Sequence, residues 1–100
     1  MNPAELTELI RQGENSGVEF KCDDLRPEQL AREVVAFANF QGGRILIGVD
    51  DDGTVSGMQR EGLERWIMDS VFGRRVHPQL LPYYAEVRLD ADLRVAVVTV

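Results

Sequence analysis

The chain has 100 residues, 44% hydrophobic and 28% charged, with a net charge of −6 at pH 7, which supports one domain with a modest core and excludes a disordered or fibrous chain. The acidic sum weighs against a plain polyanion binder, whose affinity rests on Lys and Arg at phosphates, although the distribution of charge counts for more than the sum. The single cysteine, Cys22, rules out an internal disulfide, and without a run of roughly 18 apolar residues or a basic-then-apolar leader the expected compartment is the cytoplasm.

Pro3 to Gln12 predicts a helix, with Pro3 at an opening position, Leu6, Leu9 and Ile10 on one face, and Gly13 as a stop. Val18 to Cys22 alternates as a short strand that puts Val18, Phe20 and Cys22 on one side and Glu19 and Lys21 on the other. On this reading Cys22 is a small core residue. A second helix is expected over Pro27 to Phe40, capped from Asp24 and carrying Glu28 in its first turn. Its apolar stripe is Leu30, Val34, Phe37 and Ala38, widened by Ala31 and Val35.

The stretch from Ala36 to Gly57 organises the rest. Gly42 and Gly43 turn the chain out of the helix, and Arg44 to Val49 then runs as an apolar strand of the kind covered on both faces. That strand ends on Asp50, Asp51 and Asp52, and Gly53 turns it into a second short strand. Gln59 to Phe72 reads as a third helix with Leu63, Trp66, Ile67 and Val71 inward and Gly73 as its stop. Arg74 to Pro82 is a connection, Tyr83 to Leu89 an alternating strand, and Leu93 to Val100 a buried-type strand. The expected fold is therefore α+β, one domain over residues 1–100, with a mixed sheet of about five to six strands and about three helices. Because the chain stops inside an apolar strand, it is expected to be a fragment that lacks later strands.

For chemistry, the acidic strand end is the place to look. Carboxylates from two strands could gather at one sheet end and bind Mg²⁺ or Mn²⁺, hard cations that take oxygen ligands. The plainer reading of Asp50 to Asp52 is a solvated turn. Asn39 is expected as a helix C-cap, and His77, without a second His or Cys nearby, as no ligand. Trp66 should pack. Tyr83 and Tyr84 could stack on unpaired bases beside Arg88, although edge packing is commoner. The basic residues are scattered and Arg74-Arg75 is the one doublet. Lys21, Arg44, Arg74, Arg75 and Arg88 are the candidate nucleic-acid contacts, provided folding collects them on one face.

GENSGVEFK, then AFANFQGG, then ILIGVDDDGTVSG, followed by a helix and HPQLLP, closely resembles the Schlafen AlbA_2 domain over nearly the whole chain from about Gly13 on. Phe40 stands where a small polar residue is common, Asn15 where serine is frequent, and the usual later Y-x-R-x-G segment is missing. The resemblance implies a DNA-binding domain of bacterial transcriptional-regulator-like proteins. It also implies an alternative, because a related pair of domains in vertebrate Schlafen proteins forms a metal-dependent endoribonuclease. Carried over by position, its catalytic and metal-binding carboxylates are Glu14, Glu19 and Asp50, with Asp51 in place of Asp50 if the register slips by one, and with Lys21 placed to stabilise phosphorane charge. ATP binding has been proposed for some relatives, but the lysine of a P-loop is absent after Gly42-Gly43. The leading expectation is thus a nucleic-acid-binding module, for DNA or RNA, without a cofactor and with a homodimer conceivable. An Mg²⁺- or Mn²⁺-dependent endoribonuclease comes second, and a dimerisation or scaffold domain third.

Overall fold

Asn2 opens the first helix: its Oδ1 accepts from Glu5 N at 2.8 Å while Glu5 Oε1 accepts from Asn2 N at 3.2 Å. This reciprocal cap, with Pro3 preset for the first turn, starts α1 at Pro3–Gln12 as the sequence predicts. The computed structural model describes residues 1–78 and 80–100. After α1 come β1 (Val18–Lys21), α2 (Pro27–Ala38), β2 (Arg44–Ile47), a third helix over residues 63–75, β3 (Tyr83–Arg88) and β4 (Arg94–Thr99).

The strands lie in the order β1-β2-β4-β3. β1 and β2 run parallel, joined by α2 as the crossover that parallel neighbours require, whereas β4 is antiparallel to both β2 and β3. Alternation along the strands feeds two cores. Ile45, Ile47, Ala96 and Val98 face α2 and the third helix, packing on Leu30, Val34, Phe37, Leu63, Ile67 and Val71. Leu46, Val95 and Val97 face the other way and, with Val18, Phe20 and Val87, receive Leu6 and Ile10 of α1. β2 is therefore covered on both faces, as its unbroken apolar run implies.

The sheet has four strands among the described residues, not five to six. The expected strand after Gly53 is reduced to a bridge between Val49 and Val55, because the loop satisfies its backbone groups individually: Ser56 N and Gly57 N both donate to Gly48 O, and Met58 N donates to Arg94 O. α2 ends at Ala38, short of Phe40, with Asn39 as its C-cap and Phe37 O accepting from Gly42 N at 2.7 Å. Its start is closed by Gln29, whose Oε1 accepts from Arg26 N, rather than by Asp24. Its buried stripe is Leu30, Ala31, Val34 and Phe37, so Val35 and Ala38 lie outside it.

The third helix departs most from expectation. It starts at Leu63, is α-helical to Trp66, widens to a π-helix over Ile67–Phe72 and closes over Gly73–Arg75. Gly73 is no stop. Its N–H donates to Met68 O, five residues back, and a Cβ there would lie 3.0 Å from that oxygen, so the glycine lets the wide turn close. The connection expected over residues 74–82 thus begins later, and Gln79 within it lies outside the described residues.

Candidate functional site

Everything at the carboxyl end of β1 and β2 depends on one irregularity. Gly48 N and Val49 N both donate to Lys21 O, at 2.8 and 3.2 Å, so two residues of one chain segment oppose a single residue of β1. Such a bulge ends a ladder and re-aims the residues beyond it. It requires φ +108° at Gly48, with Gly57 and Met58 main chain 2.9 Å from where a Cβ would sit. Past the bulge, Asp50 N donates to Thr54 O, Gly53 N to Asp50 O and Thr54 N to Asp52 Oδ1. The acidic triplet is therefore a tight turn in which Asp52 serves its own backbone.

Asp50 faces the end of β1. Cys22 Sγ donates to its Oδ1 at 3.2 Å, and this bond, reinforced by the charges of Asp50, Asp24 and Asp51, raises the thiol pKa. Cys22 is exposed rather than part of the core, because the bulge ends β1 one residue before it.

Glu19 lies within β1 and Glu14 precedes it. The chain doubles back before the strand: Asn15 and Val18 exchange both main-chain bonds, at 3.1 and 3.3 Å. Glu14 is thereby carried alongside β1, where its Oε1 accepts from Phe20 N at 3.0 Å. Glu19 and Lys21 project on the α2 side. The Lys21 ammonium sits between two carboxylates, 3.3 Å from Glu19 and 3.4 Å from Glu33 of α2. Partial burial, and then the charges of Glu33 and Glu14, raise the pKa of Glu19 despite Lys21. Burial works against the Lys21 charge, but Glu33 and Glu19 outweigh it and raise that pKa too.

The carboxylates implied by the resemblance thus divide into Glu14 and Glu19, joined by Glu33, and Asp50, which is paired with Cys22. Among the described residues no three His, Cys, Asp or Glu side chains are gathered so as to hold a metal ion. As it stands, the set does not fit a shared Mg²⁺ or Mn²⁺. Glu14 is aimed at the β1 backbone, and Lys21 fills the space between Glu19 and Glu33. Glu33 escaped sequence reasoning although it borders the apolar stripe of α2; the one-dimensional pattern does not say which strand that border meets.

A second unforeseen residue is Asp23. Its Oδ2 accepts from Gln59 N and Arg60 N at 2.6 and 2.7 Å, and Arg60 Nη2 donates to Asp23 O at 2.9 Å. The Arg60 guanidinium then lies 4.5 Å from the centroid of the Trp66 ring. Trp66 packs against the core, as its place on the stripe implies.

The five candidate nucleic-acid contacts do not form one face. Arg44 is exposed at the start of β2 beside Glu5, Glu8 and Gln12 of α1, and Lys21 is neutralised as described. Arg88 donates to Ala91 O. Arg74 and Arg75 close the third helix on the α2 side of the sheet, where Arg75 also lies 3.8 Å from Glu28. There Arg75 joins Arg32, whose position on α2 the sequence did not mark, in a shallow groove of about 420 Å³ floored by Ala31, Val35 and Ala36. Tyr83 is exposed. Tyr84, on the opposite face, is half-buried; its burial and its hydrogen bond to Glu86 raise its pKa.

A mixed four-stranded sheet between α1 and a pair of helices, with a bulged central strand ending in an acidic turn, defines an α+β domain of one recognisable kind. The chain belongs to the Schlafen, AlbA_2 family, whose pattern matches residues 14–100. A solved structure of the same fold is the N-terminal domain of a DNA helicase RecG-related protein from Nitrosomonas europaea, determined by solution NMR. It is 22% identical, with a TM-score of 0.72, over 100% of this chain and 72% of that one. No curated protein matches the chain in sequence. Among the described residues, no helix is long and apolar enough to cross a membrane.

Proposed function

We propose that this domain binds nucleic acid, DNA or RNA, through the groove between α2 and the third helix. The observation that carries the reading is the pairing of exposed arginines, Arg32 and Arg75 with Arg74 adjacent, with an apolar floor that includes the exposed Val35. Cations along a shallow apolar trough can follow a phosphate backbone while the floor receives sugar or base edges. The family membership and the DNA helicase-related name of the structural neighbour support the same reading. No catalytic step and no cofactor are required by it. The surrounding acidity of the chain, net −6, restricts binding to this trough and keeps it salt-sensitive.

The second reading, a divalent-metal endoribonuclease using Glu14, Glu19 and Asp50 with Lys21, has one feature in its favour. Glu19 is a carboxylate with a raised pKa beside two others, a kind of perturbation that clusters at functional sites. One experiment addresses both. Fluorescence anisotropy with labelled single- and double-stranded DNA and RNA is followed across salt, with and without Mn²⁺. Binding through the groove gives a log–log salt slope of about −2 to −3, which falls by about 0.7–0.9 for each of Arg32→Ala, Arg74→Ala and Arg75→Ala. Binding indifferent to those substitutions refutes the groove. RNA shortened only with Mn²⁺, and intact with Glu19→Gln, establishes the nuclease instead.

A further inference from the structure

The two edges of the sheet are finished differently. On β1 the outward N–H groups and Val18 O are used by the chain itself: Val18 exchanges both bonds with Asn15, and Phe20 N donates to Glu14 Oε1. On β3 the outward groups are not. The bond from Leu89 N to Leu93 O and the register Tyr83↔Thr99, Ala85↔Val97, Val87↔Val95 direct the odd-numbered residues of β3 toward β4. Tyr84, Glu86 and Arg88 therefore turn their N–H and C=O groups away from the sheet, without partners among the described residues. An open edge of this length is a template for another strand, and natural sheets usually blunt it.

We propose that the β3 edge pairs antiparallel with β3 of a second copy of this chain, about a two-fold axis through Val87. The charges select that register. Arg88 lies opposite Arg94 on β4, and no carboxylate forms an ion pair with it among the described residues. Centring the two-fold on Val87 places Glu86 of each copy opposite Arg88 of the other, so both cross-strand pairs are of opposite charge. Centring on Glu86 sets two carboxylates face to face. Centring on Ala85 sets Arg88 against Pro82, which has no N–H to donate. Glu86 already accepts from Arg94 at 2.9 Å and from Tyr84 at 2.7 Å, so its carboxylate is held where the second copy's guanidinium meets it. The pairing is independent of the nucleic-acid groove.

Light scattering on size-exclusion fractions and sedimentation velocity of the full chain test this. The parent associates reversibly with concentration as a dimer. Arg88→Glu and Glu86→Arg, each alone, set like charges opposite at two positions and weaken association about tenfold or more. Mixed one to one, the two variants form a heterodimer, because every cross-strand pair is then again of opposite charge. The doubly swapped chain also dimerises, which separates loss of pairing from loss of folding, and circular dichroism checks each variant. A parent that stays monomeric to about millimolar overturns the proposal and leaves the edge to a different strand. So does a dimer untouched by Arg88→Glu, which must use another surface.

Discussion

Replacing Gly48 by alanine tests the joint on which the acidic turn depends. At φ +108° an L-residue is outside its comfortable regions, and the new Cβ would stand 2.9 Å from Gly57 C and from Met58 N. Both contacts are main chain, held in turn by the bonds of Gly57 N to Gly48 O and Met58 N to Arg94 O, so nothing flexible can move aside. Backbone strain of this kind costs about 1–3 kcal/mol, and forcing the two segments apart costs about 1–3 kcal/mol more. A loss of about 2–6 kcal/mol is a large part of the roughly 5–15 kcal/mol that holds a domain together. At about 4–8 °C per kcal/mol, the melting temperature falls by at least about 8 °C. Urea unfolding read by the single Trp66 and by circular dichroism measures the loss. Gly13→Ala is the control, since Gly13 is also at positive φ (+83°) but has no atom within 4 Å of its prospective Cβ; it incurs strain without collision. If Gly48→Ala is no more destabilising than Gly13→Ala, the crossing of residues 48 and 57–58 is not what fixes this turn, and the account of the bulge fails.

Two further predictions concern the charges near β1. Lys21→Met leaves Glu19 and Glu33 without their shared counter-ion. Because the folded pKa of Glu19 is already raised, the stability tied to that group is present below the unfolded carboxylate value near ~4.3 and is lost as pH rises through the folded one. The variant should therefore lose about 1–2 kcal/mol at pH 7, after allowance for partial exposure, and little at pH 4. Urea unfolding at both pH values checks this, and equal losses would refute it. Asp50→Asn removes the charge that most raises the Cys22 thiol, so reaction of Cys22 with an aromatic disulfide near pH 8 should quicken by roughly three- to tenfold; an unchanged rate would place Asp50 elsewhere than at the thiol.

Much of this fold is written in local pattern. The period of Leu30, Val34 and Phe37 defines α2, the double-sided run Ile45-Leu46-Ile47 a covered strand, and the alternation from Tyr83 an edge strand, because each reports burial directly. What stayed hidden depends on pairs distant in sequence. Nothing local distinguishes Asp23 from Asp24, yet Asp23 caps Gln59 and Arg60. Gly73 carries the composition of a helix stop, but the oxygen it must approach belongs to Met68, and only a π turn brings the two together. Cys22 alternates with Phe20 as a core residue would; the bulge at Gly48 ends the ladder first. For the candidate site the same division holds. Glu14, Glu19 and Asp50 were found by motif and Lys21 by its place on the Glu19 face, whereas Glu33 and Arg32 needed the packing of α2.

The spacing of Glu14 and Glu19 also has a structural cause that owes nothing to hydrolysis. The chain folds back through Asn15 and Val18 so that the residue before the reversal lies alongside the strand after it, where a side chain of glutamate length reaches Phe20 N. A carboxylate is the fitting group there, because it accepts without needing to donate and closes an edge that would otherwise offer a free N–H to another strand. Glu19, one residue before Phe20, then necessarily points to the other face, toward α2 and Glu33. The motif spacing is therefore what a protected edge strand under a helix demands, and it would arise in a member with no catalytic activity as readily as in a nuclease. Binding through Arg32, Arg74 and Arg75 makes no use of that motif, so the two functional readings rest on separate parts of the molecule and can fail separately.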